Sequence, residues 1–303
     1  MQDRTKGIAA MVATCVIWGL SSLYYRLIDE VPPLEVLSHR TLWSALFFGA
    51  ILLAQGQLGH AFALLARRPR AVALAALMIS ANWFLFIFSV QSGHTLEASL
   101  GYYIFPLVAV ALGVLVFRER LSRGQGVAVA MAAGAVAVLT LGLGVAPWIA
   151  LALAGTFGIY GLVKKRLVAG SMVSVTAEVL LLAPLAIGWL WAVHGGHAAE
   201  MDRPGGWFGQ SWQVSALLAF SGVLTAVPLM LFSYASQRIG MATLGLVQYL
   251  NPTLQFLCAV TVFAQPFTPW HGAAFGLIWT ALALYSFEAI RQDRAARSRP
   301  ASA

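Results

Sequence analysis

The chain has 303 residues, of which 60% are hydrophobic and only 10% are charged. An ordinary soluble domain carries roughly 25% charged residues, so this composition excludes a soluble fold and indicates an all-α polytopic membrane protein. The formal charge of +8 needs no nucleic-acid partner, because the positions of the basic residues explain it, and the two cysteines lie inside apolar runs that predict neither disulfides nor a metal site.

Apolar runs dominate the chain. A membrane helix needs about 20 mostly apolar residues, and ten runs approach or exceed that length. The first run is long enough to span and lacks a cleavage pattern, so we interpret it as a helix rather than a signal peptide. We predict membrane helices at 7–28, 34–55, 71–91, 95–117, 124–142, 147–163, 172–193, 212–236, 241–263 and 269–290.

The connections between these runs are short, apart from a polar, glycine-rich loop at 194–211. If the N-terminus is cytoplasmic, 16 of the 19 Lys and Arg residues fall in loops or tails on that side. The positive-inside rule therefore predicts that both termini are cytoplasmic. Residues 291–303 are basic and small, which predicts a disordered tail.

One stretch occurs twice. The segment 93–122 returns in altered form at 240–268. Alignment of the two copies superposes a tyrosine and a proline of each: Tyr103 on Tyr249, and Pro106 on Pro252. Proline removes an amide donor, and in lipid such a helix break is tolerated only where protein or a cavity lines it. We therefore predict helix breaks at both prolines, close to a central site.

The repeat organises the whole chain. The early parts of the two halves also align, with Trp18-Gly19-Leu20 on Phe157-Gly158-Ile159. Because each half holds five predicted crossings, an odd number, the second half must enter the membrane upside down. We predict two inverted-topology five-helix repeats, 7–142 and 147–290, around a central cavity, with alternating access between them.

His39 and Arg40 lie within the second predicted span. A charge at the centre of a membrane helix costs about 2.5–3.5 kcal/mol. Three explanations of Arg40 remain open: the side chain snorkels outward, it pairs with Glu35 or Glu97, or it faces a cavity and binds an anionic substrate. Arg suits the last role because its fork binds carboxylates bidentately.

Glu178 is the only acid well inside a predicted span. An intramembrane carboxylate is a candidate for proton coupling. The alternative is an ion pair with Lys164 or Lys165 in the inner leaflet. Both hypotheses stand at this stage.

Polar and aromatic side chains supply further candidates for the lining of the cavity. Amides and hydroxyls could bind a solute or repair the broken helices, and tryptophan is also the ordinary residue of the interfacial belt. The candidates are Tyr103, Gln248, Tyr249 and Asn251 near the prolines, Asn82 and Trp83 in the third span, and Trp18 and Tyr25 in the first.

Several of these residues lie in runs that together resemble the RarD group of EamA-type transporters, in the drug/metabolite transporter superfamily. The runs are Trp18–Ser21, Val31–Arg40, Asn82-Trp83, Ser92–Tyr102, Leu244-Gly245, Gln248-Tyr249, Pro252–Phe256 and Ala283–Ser286, and the resemblance covers about 7–287. It implies a bacterial inner-membrane carrier with ten helices, two EamA repeats and a central cavity. One departure concerns the repeat: where the first half has Arg118-Glu119-Arg120, the second has Ala264-Gln265-Pro266.

The sequence thus predicts a secondary transporter that exports or exchanges a small metabolite, amino acid or drug-like solute across the lipid bilayer. The chain has no Walker A motif for ATP, and we predict no cofactor and no metal. The alternatives are a non-transporting receptor or assembly protein and an integral membrane enzyme, which the absence of a nucleophile–base motif disfavours. Proton coupling and oligomeric state are left open.

Overall fold

The computed structural model describes residues 2–117, 123–144, 146–167, 169–200, 203–236, 238–239 and 247–297. The regular elements in these ranges are all helices, and the only β-type pairings there are two isolated bridges in the loop after residue 194. The helices are α1 (Gln2–Leu27), α2 (Pro33–Ala54), α3 (Leu58–Arg67), α4 (Pro69–Gln91), α5 (Thr95–Phe117), α6 (Arg123–Leu143), α7 (Trp148–Leu167), α8 (Ser171–His194), α9 (Trp212–Ser236), α10 (Leu250–Leu257, continued by a π-helical turn at Cys258–Val262) and α11 (Pro269–Arg297).

Six helices in the described ranges are long and apolar enough to cross a membrane: α1, α2, α4, α6, α8 and α9. The prediction of an all-α multi-pass membrane protein is therefore confirmed. The other four predicted spans also coincide with helices, although residues 241–246 of the ninth lie outside the described residues. Helix α11 continues to Arg297, beyond the predicted start of the tail, and residues 298–303 are likewise not described.

Proline starts two of the helices. Pro33 and Pro69 occupy the first positions of α2 and α4, where the missing amide would have had no helical partner and the fixed φ suits the helix. Helix α4 ends just before Gly93, whose φ of +79° lies in the left-handed region that glycine adopts without strain. The chain can therefore reverse directly into α5.

The two repeated prolines do not occupy equivalent positions. Helix α5 continues without interruption through Pro106, so the predicted break there is wrong. One lost hydrogen bond is tolerated inside a helix of 23 residues that packs on α7 and α10. Pro252 lies in the first turn of α10, where its missing donor has no helical partner to lose.

Helix α3 was not predicted. Its ten residues extend only about 15 Å, too short to span. Leu58, Ala61 and Leu65 recur on one face and pack with residues of α7 and α8. The helix therefore lies at the inner end of the bundle, on the side predicted to face the cytoplasm.

The packing links the two predicted halves repeatedly. Helix α1 packs on α9 and α10, α7 packs on α4 and α5, α2 packs on α8 and α9, and α8 also packs on α4. Helices α5 and α10 cross each other, as do α6 and α11. Two glycines permit close crossings: a Cβ at Gly19 would lie 2.6 Å from Leu254 Cβ, and one at Gly158 would lie 2.9 Å from Leu112 Cδ1.

Candidate functional site

Arg40 lies in the second turn of α2 with 7% of its surface exposed. Its Nε donates to Thr225 Oγ1 at 2.9 Å, and its Nη1 donates to the Tyr25 hydroxyl at 2.6 Å. The side chain therefore does not snorkel to water. Three elements hold it: α2 carries it, α1 supplies Tyr25 and α9 supplies Thr225.

The guanidinium of Arg40 also lies over an aromatic ring. Its Cζ is 4.1 Å from the centroid of the Trp83 ring and 6.0 Å from that of Tyr25. Cation–π contacts of this kind are worth about 2 kcal/mol when they are desolvated. The structure thus brings together two predicted site residues, Arg40 and Trp83.

No carboxylate neutralises Arg40 within the described part of the chain. Glu35 and Glu97, its two suggested partners, make other contacts. Nε and Nη1 each donate one bond, which leaves both hydrogens at the Nη2 edge of the fork and one hydrogen of Nη1 without a partner among the described residues. That edge has the geometry for a bidentate bond to a carboxylate or phosphate.

His39 adjoins Arg40 on α2 and is also buried. Its ring stacks on Phe208, with 4.9 Å between centroids. Its Nε2 is buried without a hydrogen-bond partner among the described residues. Burial of a polar atom without a hydrogen-bond partner normally costs the folded protein about 1–3 kcal/mol. A solute that forms a hydrogen bond with this nitrogen would offset that cost.

The described parts of the loop after α8, 195–200 and 203–211, are anchored to the start of α2 and contact His39. The buried Glu35 carboxylate accepts hydrogen bonds from the amides of Gly206 at 2.9 Å and Trp207 at 2.8 Å. Glu200, at the other end of the loop, accepts from the Leu34 amide at 2.8 Å. Burial raises the pKa of the Glu200 carboxyl above its ordinary value. The loop therefore forms a cover, with Phe208 pressed against His39.

Glu178 has a different environment, near the end of the bundle that is predicted to face the cytoplasm. Its carboxylate is fully buried and forms an ion pair with Lys164 Nζ at 2.7 Å. Tyr160 donates to it at 3.1 Å and Ser174 at 3.3 Å. Of the two hypotheses, the structure therefore places Glu178 in the predicted pair with Lys164.

Asn82 has structural partners. Its amide nitrogen donates to the Leu153 carbonyl at 3.0 Å and to Thr156 at 3.1 Å, and its amide oxygen accepts from Tyr102 at 3.1 Å. These bonds join α4 to α5 and α7. Asn82 is therefore close to Trp83 in sequence but is already engaged in helix packing.

The remaining candidates form a second group where α5 crosses α10. The Tyr103 hydroxyl lies 2.6 Å from Thr253 Oγ1, and Tyr249 packs against the same apolar cluster. Asn251 accepts a hydrogen bond from Gln255, and Gln248 is half-buried just before α10. The partners that hold Arg40 come from α1, α4 and α9 instead, so the structure divides the predicted site into two.

An outer cavity of about 140 Å³ contains Glu97. Its other polar wall residues are His94 and His271, and Trp148 closes one side. The described residues contain no group of three or more His, Cys, Asp or Glu side chains placed to hold a metal ion. Glu97 is therefore neither a partner of Arg40 nor part of a metal centre in this part of the chain.

Two residues were not predicted from the sequence: Thr225, which contacts Arg40, and Phe208, which contacts His39. Thr225 is one of several hydroxyl residues in an apolar span, and it lies 185 positions from Arg40. Phe208 lies in an irregular loop. A weak signal existed for Phe208, because Trp207-Phe208 is an aromatic pair inside a glycine-rich polar segment.

Comparison with known proteins identifies the family. A family profile described as "EamA-like transporter family" matches residues 5–141. Protein RarD of Streptomyces exfoliatus is 42% identical over 297 residues, covering 93% of this chain and 89% of that protein. A protein of Bacillus subtilis named uncharacterized transporter YojE is 38% identical over 301 residues, covering 98% of both chains. A solved crystal structure, 19% identical, covers 95% of this chain and 99% of its own with a TM-score of 0.59, which supports the fold alone.

The apolar helices and these relatives define the protein as a multi-pass membrane transporter of the inner membrane. Identities of this size, over nearly the full length of both chains, are sufficient to assign the family. The chain belongs to the RarD group of the EamA-like transporter family, in the drug/metabolite transporter superfamily. The resemblance noted in the sequence is confirmed.

Proposed function

We propose that the chain is a secondary carrier that exports or exchanges a small organic anion, such as an amino acid, a metabolite or a drug-like acid, by alternating access. Its architecture would be two inverted five-helix repeats with both termini in the cytoplasm. The observation that carries the proposal is Arg40, a buried guanidinium with an unpaired fork edge and no acid partner among the described residues.

The chemistry of the Arg40 site favours an anion with an apolar body. An uncompensated buried charge is costly, and an incoming carboxylate would offset that cost while it gains a charge-assisted bidentate bond. Trp83 and Tyr25 supply aromatic surface around the fork, and the Phe208–His39 stack involves the adjacent position of α2. The bound solute would therefore exchange part of its hydration for a preformed aromatic environment.

The pattern of helix contacts supports the inverted repeat. In the proposed repeat, α1, α2, α4, α5 and α6 correspond in order to α7, α8, α9, α10 and α11. When each helix is exchanged for its counterpart, every major helix pair becomes another observed pair: α1–α9 becomes α7–α4, α1–α10 becomes α7–α5, and α2–α9 becomes α8–α4. The pairs α2–α8, α5–α10 and α6–α11 map onto themselves. Gly19 and Gly158, which correspond in the alignment of the two halves, both lie at close crossings.

Two polar contacts are suited to act as gates. On the outer side, the loop 195–211 is held to α2 by Glu35 and covers His39 with Phe208. On the inner side, the Lys164–Glu178 pair joins α7 to α8. Transport would require the outer loop and the inner pair to loosen in turn.

Proton coupling through Glu178 stays a prediction. The ion pair with Lys164 favours a gating role instead, because an ammonium at 2.7 Å already stabilises the ionised carboxylate. Flux in proteoliposomes that carry Glu178→Gln, measured with and without a pH gradient, distinguishes the two roles. A coupling carboxylate predicts that the gradient loses its effect in the variant, whereas a gate predicts a changed rate with the same response to the gradient.

The central experiment is solute flux in proteoliposomes. Wild-type protein is screened with pooled amino acids and drug-like acids, each beside a neutral amide analogue, and is compared with Arg40→Ala and Arg40→Lys. We expect saturable flux of an acid but not of its amide, a loss of at least tenfold in Arg40→Ala, and partial retention in Arg40→Lys because lysine lacks the fork.

Arg26→Ala is the matched control, because Arg26 lies on the same outer side but is exposed and paired with Asp29 at 3.0 Å. Its flux should equal that of the wild type. Equal flux of acid and amide, or full activity of folded Arg40→Ala, would contradict the anion proposal. Binding of an acid without flux would instead favour a non-transporting receptor.

A further inference from the structure

The unpredicted helix α3 has two chemically different faces. Ala61 is fully buried and Leu64 and Leu65 pack beside it, in a cluster that also contains Tyr160 and Ala177. Phe62 lies at the edge of this packed face, four residues after Leu58 and three before Leu65, and is 53% exposed. A large exposed aromatic on a short amphipathic helix is typical of a segment that lies in the membrane interface.

Three arginines surround the end of α3. Arg67 ends the helix, Arg68 joins it to α4, and Arg70 lies in the first turn of α4. All three are exposed, and none has an acid partner among the described residues. A cation in the first turn of a helix opposes the helix dipole, so an anion at this corner would relieve an unfavourable arrangement.

We propose that α3 and the α3–α4 corner form a docking surface for the headgroup of an anionic phospholipid of the inner leaflet. The phosphate would lie among Arg67, Arg68 and Arg70, and Phe62 would insert beside the acyl chains. Positive-inside topology alone accounts for the arginines. It does not account for a separate helix that exposes a phenylalanine next to them.

The position of α3 gives this lipid a regulatory role. Helix α3 belongs to the first half of the chain but packs on α8 of the second. The same apolar cluster holds Tyr160, which donates to Glu178 of the inner pair. A lipid that fixes α3 therefore stabilises the arrangement in which the two halves meet at the inner end.

The test uses native mass spectrometry of the full-length protein in neutral detergent. Short-chain phosphatidylglycerol is titrated in, with phosphatidylcholine as the neutral competitor. The variant Arg67→Gln/Arg68→Gln is compared with Arg4→Gln/Lys6→Gln, which removes the same charge from exposed residues of α1. Each basic residue near an anionic surface changes affinity roughly fivefold. We expect at least a tenfold loss of phosphatidylglycerol binding in the α3–α4 variant and less than a twofold loss in the control.

Phe62→Ala provides a second readout, since it leaves every charge in place. It should weaken phosphatidylglycerol binding and reduce the increase in Tm that the lipid produces. If both charge variants lost the same amount of phosphatidylglycerol binding, the effect would depend on net charge alone, and the proposal would be overturned. Unchanged binding in the α3–α4 variant, or equal affinity of the wild type for the two lipids, would overturn it as well. Each outcome is independent of solute flux.

Discussion

Separating Lys164 from Glu178 should destabilise the protein strongly, whereas removing both charges should not. Glu178 has 1% of its side chain exposed and Lys164 has 20%, with 2.7 Å between the charged atoms. Loss of one partner of a buried pair costs about 3–5 kcal/mol, because the other charge stays buried, while replacement of both is often nearly neutral. We therefore expect a loss of about 3 kcal/mol or more in Lys164→Met and in Glu178→Gln.

The double variant should lie within about 1 kcal/mol of the wild type. Tyr160 donates to Oε2 of Glu178 and Ser174 to Oε1, so in Glu178→Gln the single amide oxygen keeps one of these bonds and the loss reports the charge together with at most one neutral hydrogen bond. Reversible unfolding in mixed micelles, followed by circular dichroism, measures all four proteins. The exposed pair Arg26–Asp29 is the control: Asp29→Asn should cost less than about 1 kcal/mol. Losses at Lys164 and Glu178 that add within about 0.5 kcal/mol would refute the coupling.

Three further predictions concern packing, the outer loop and pH. Gly19→Ala should lose about 1–3 kcal/mol by overpacking, because its Cβ meets Leu254, whereas Gly134→Ala, with nothing within 4 Å, should be neutral or slightly stabilising in the same unfolding assay. Glu35→Gln should weaken two charge-assisted bonds worth about 1.5–3 kcal/mol each and so speed proteolysis within 195–211, whereas the exposed Glu30→Gln should not; equal cleavage would contradict the anchor. Because burial raises the pKa of Glu200, its stabilising contribution is present below the unfolded-state pKa and is lost as the pH rises through the higher folded-state value. Glu200→Gln should therefore flatten the pH dependence of stability in that window, as unfolding at a series of pH values would measure.

The sequence predicted the positions of the helices well because length and hydropathy alone decide whether a segment can cross a membrane. It missed α3 for the same reason, since ten residues give no spanning signal and the arginines after it resemble a loop. The break at Pro106 was wrong because the effect of one lost hydrogen bond depends on the packing around α5, which no local pattern records.

The candidate site was predicted only in part. Arg40 was found because a charge in an apolar span is rare, and Trp83 because of its aromatic ring. The partner Thr225 is an uncharged residue on a distant helix, so only the tertiary fold identifies it. The orphan nitrogen of His39 and its stack on Phe208 depend on how an irregular loop folds back, which periodicity does not encode.

The proposed repeat would give a reason for the position of the candidate site. In the alignment that superposes Trp18 on Phe157, Gly19 corresponds to Gly158, Tyr25 to Lys164 and His39 to Glu178. Both aligned positions hold glycine, and at each of them a Cβ would lie too close to a side chain of the neighbouring helix. At the polar positions the halves differ: the neutral Tyr25 hydroxyl accepts a hydrogen bond from Arg40 but cannot compensate its charge, whereas Lys164 neutralises Glu178.

An uncompensated charge destabilises the resting protein and is relieved when an opposite charge binds, while a compensated pair stabilises one arrangement of the helices. In the proposed mechanism, the first half would present a site that needs a ligand, and the second would present a contact that must break for the bundle to open at the end predicted to face the cytoplasm. Under the proposed repeat, this division would give a carrier the two properties that it requires, differential binding and a closed gate, from two copies of one helical unit. The same reasoning predicts the effect of an acidic side chain introduced next to Arg40. Its carboxylate would pair with the guanidinium, as Lys164 pairs with Glu178, and would abolish the binding of an anionic solute.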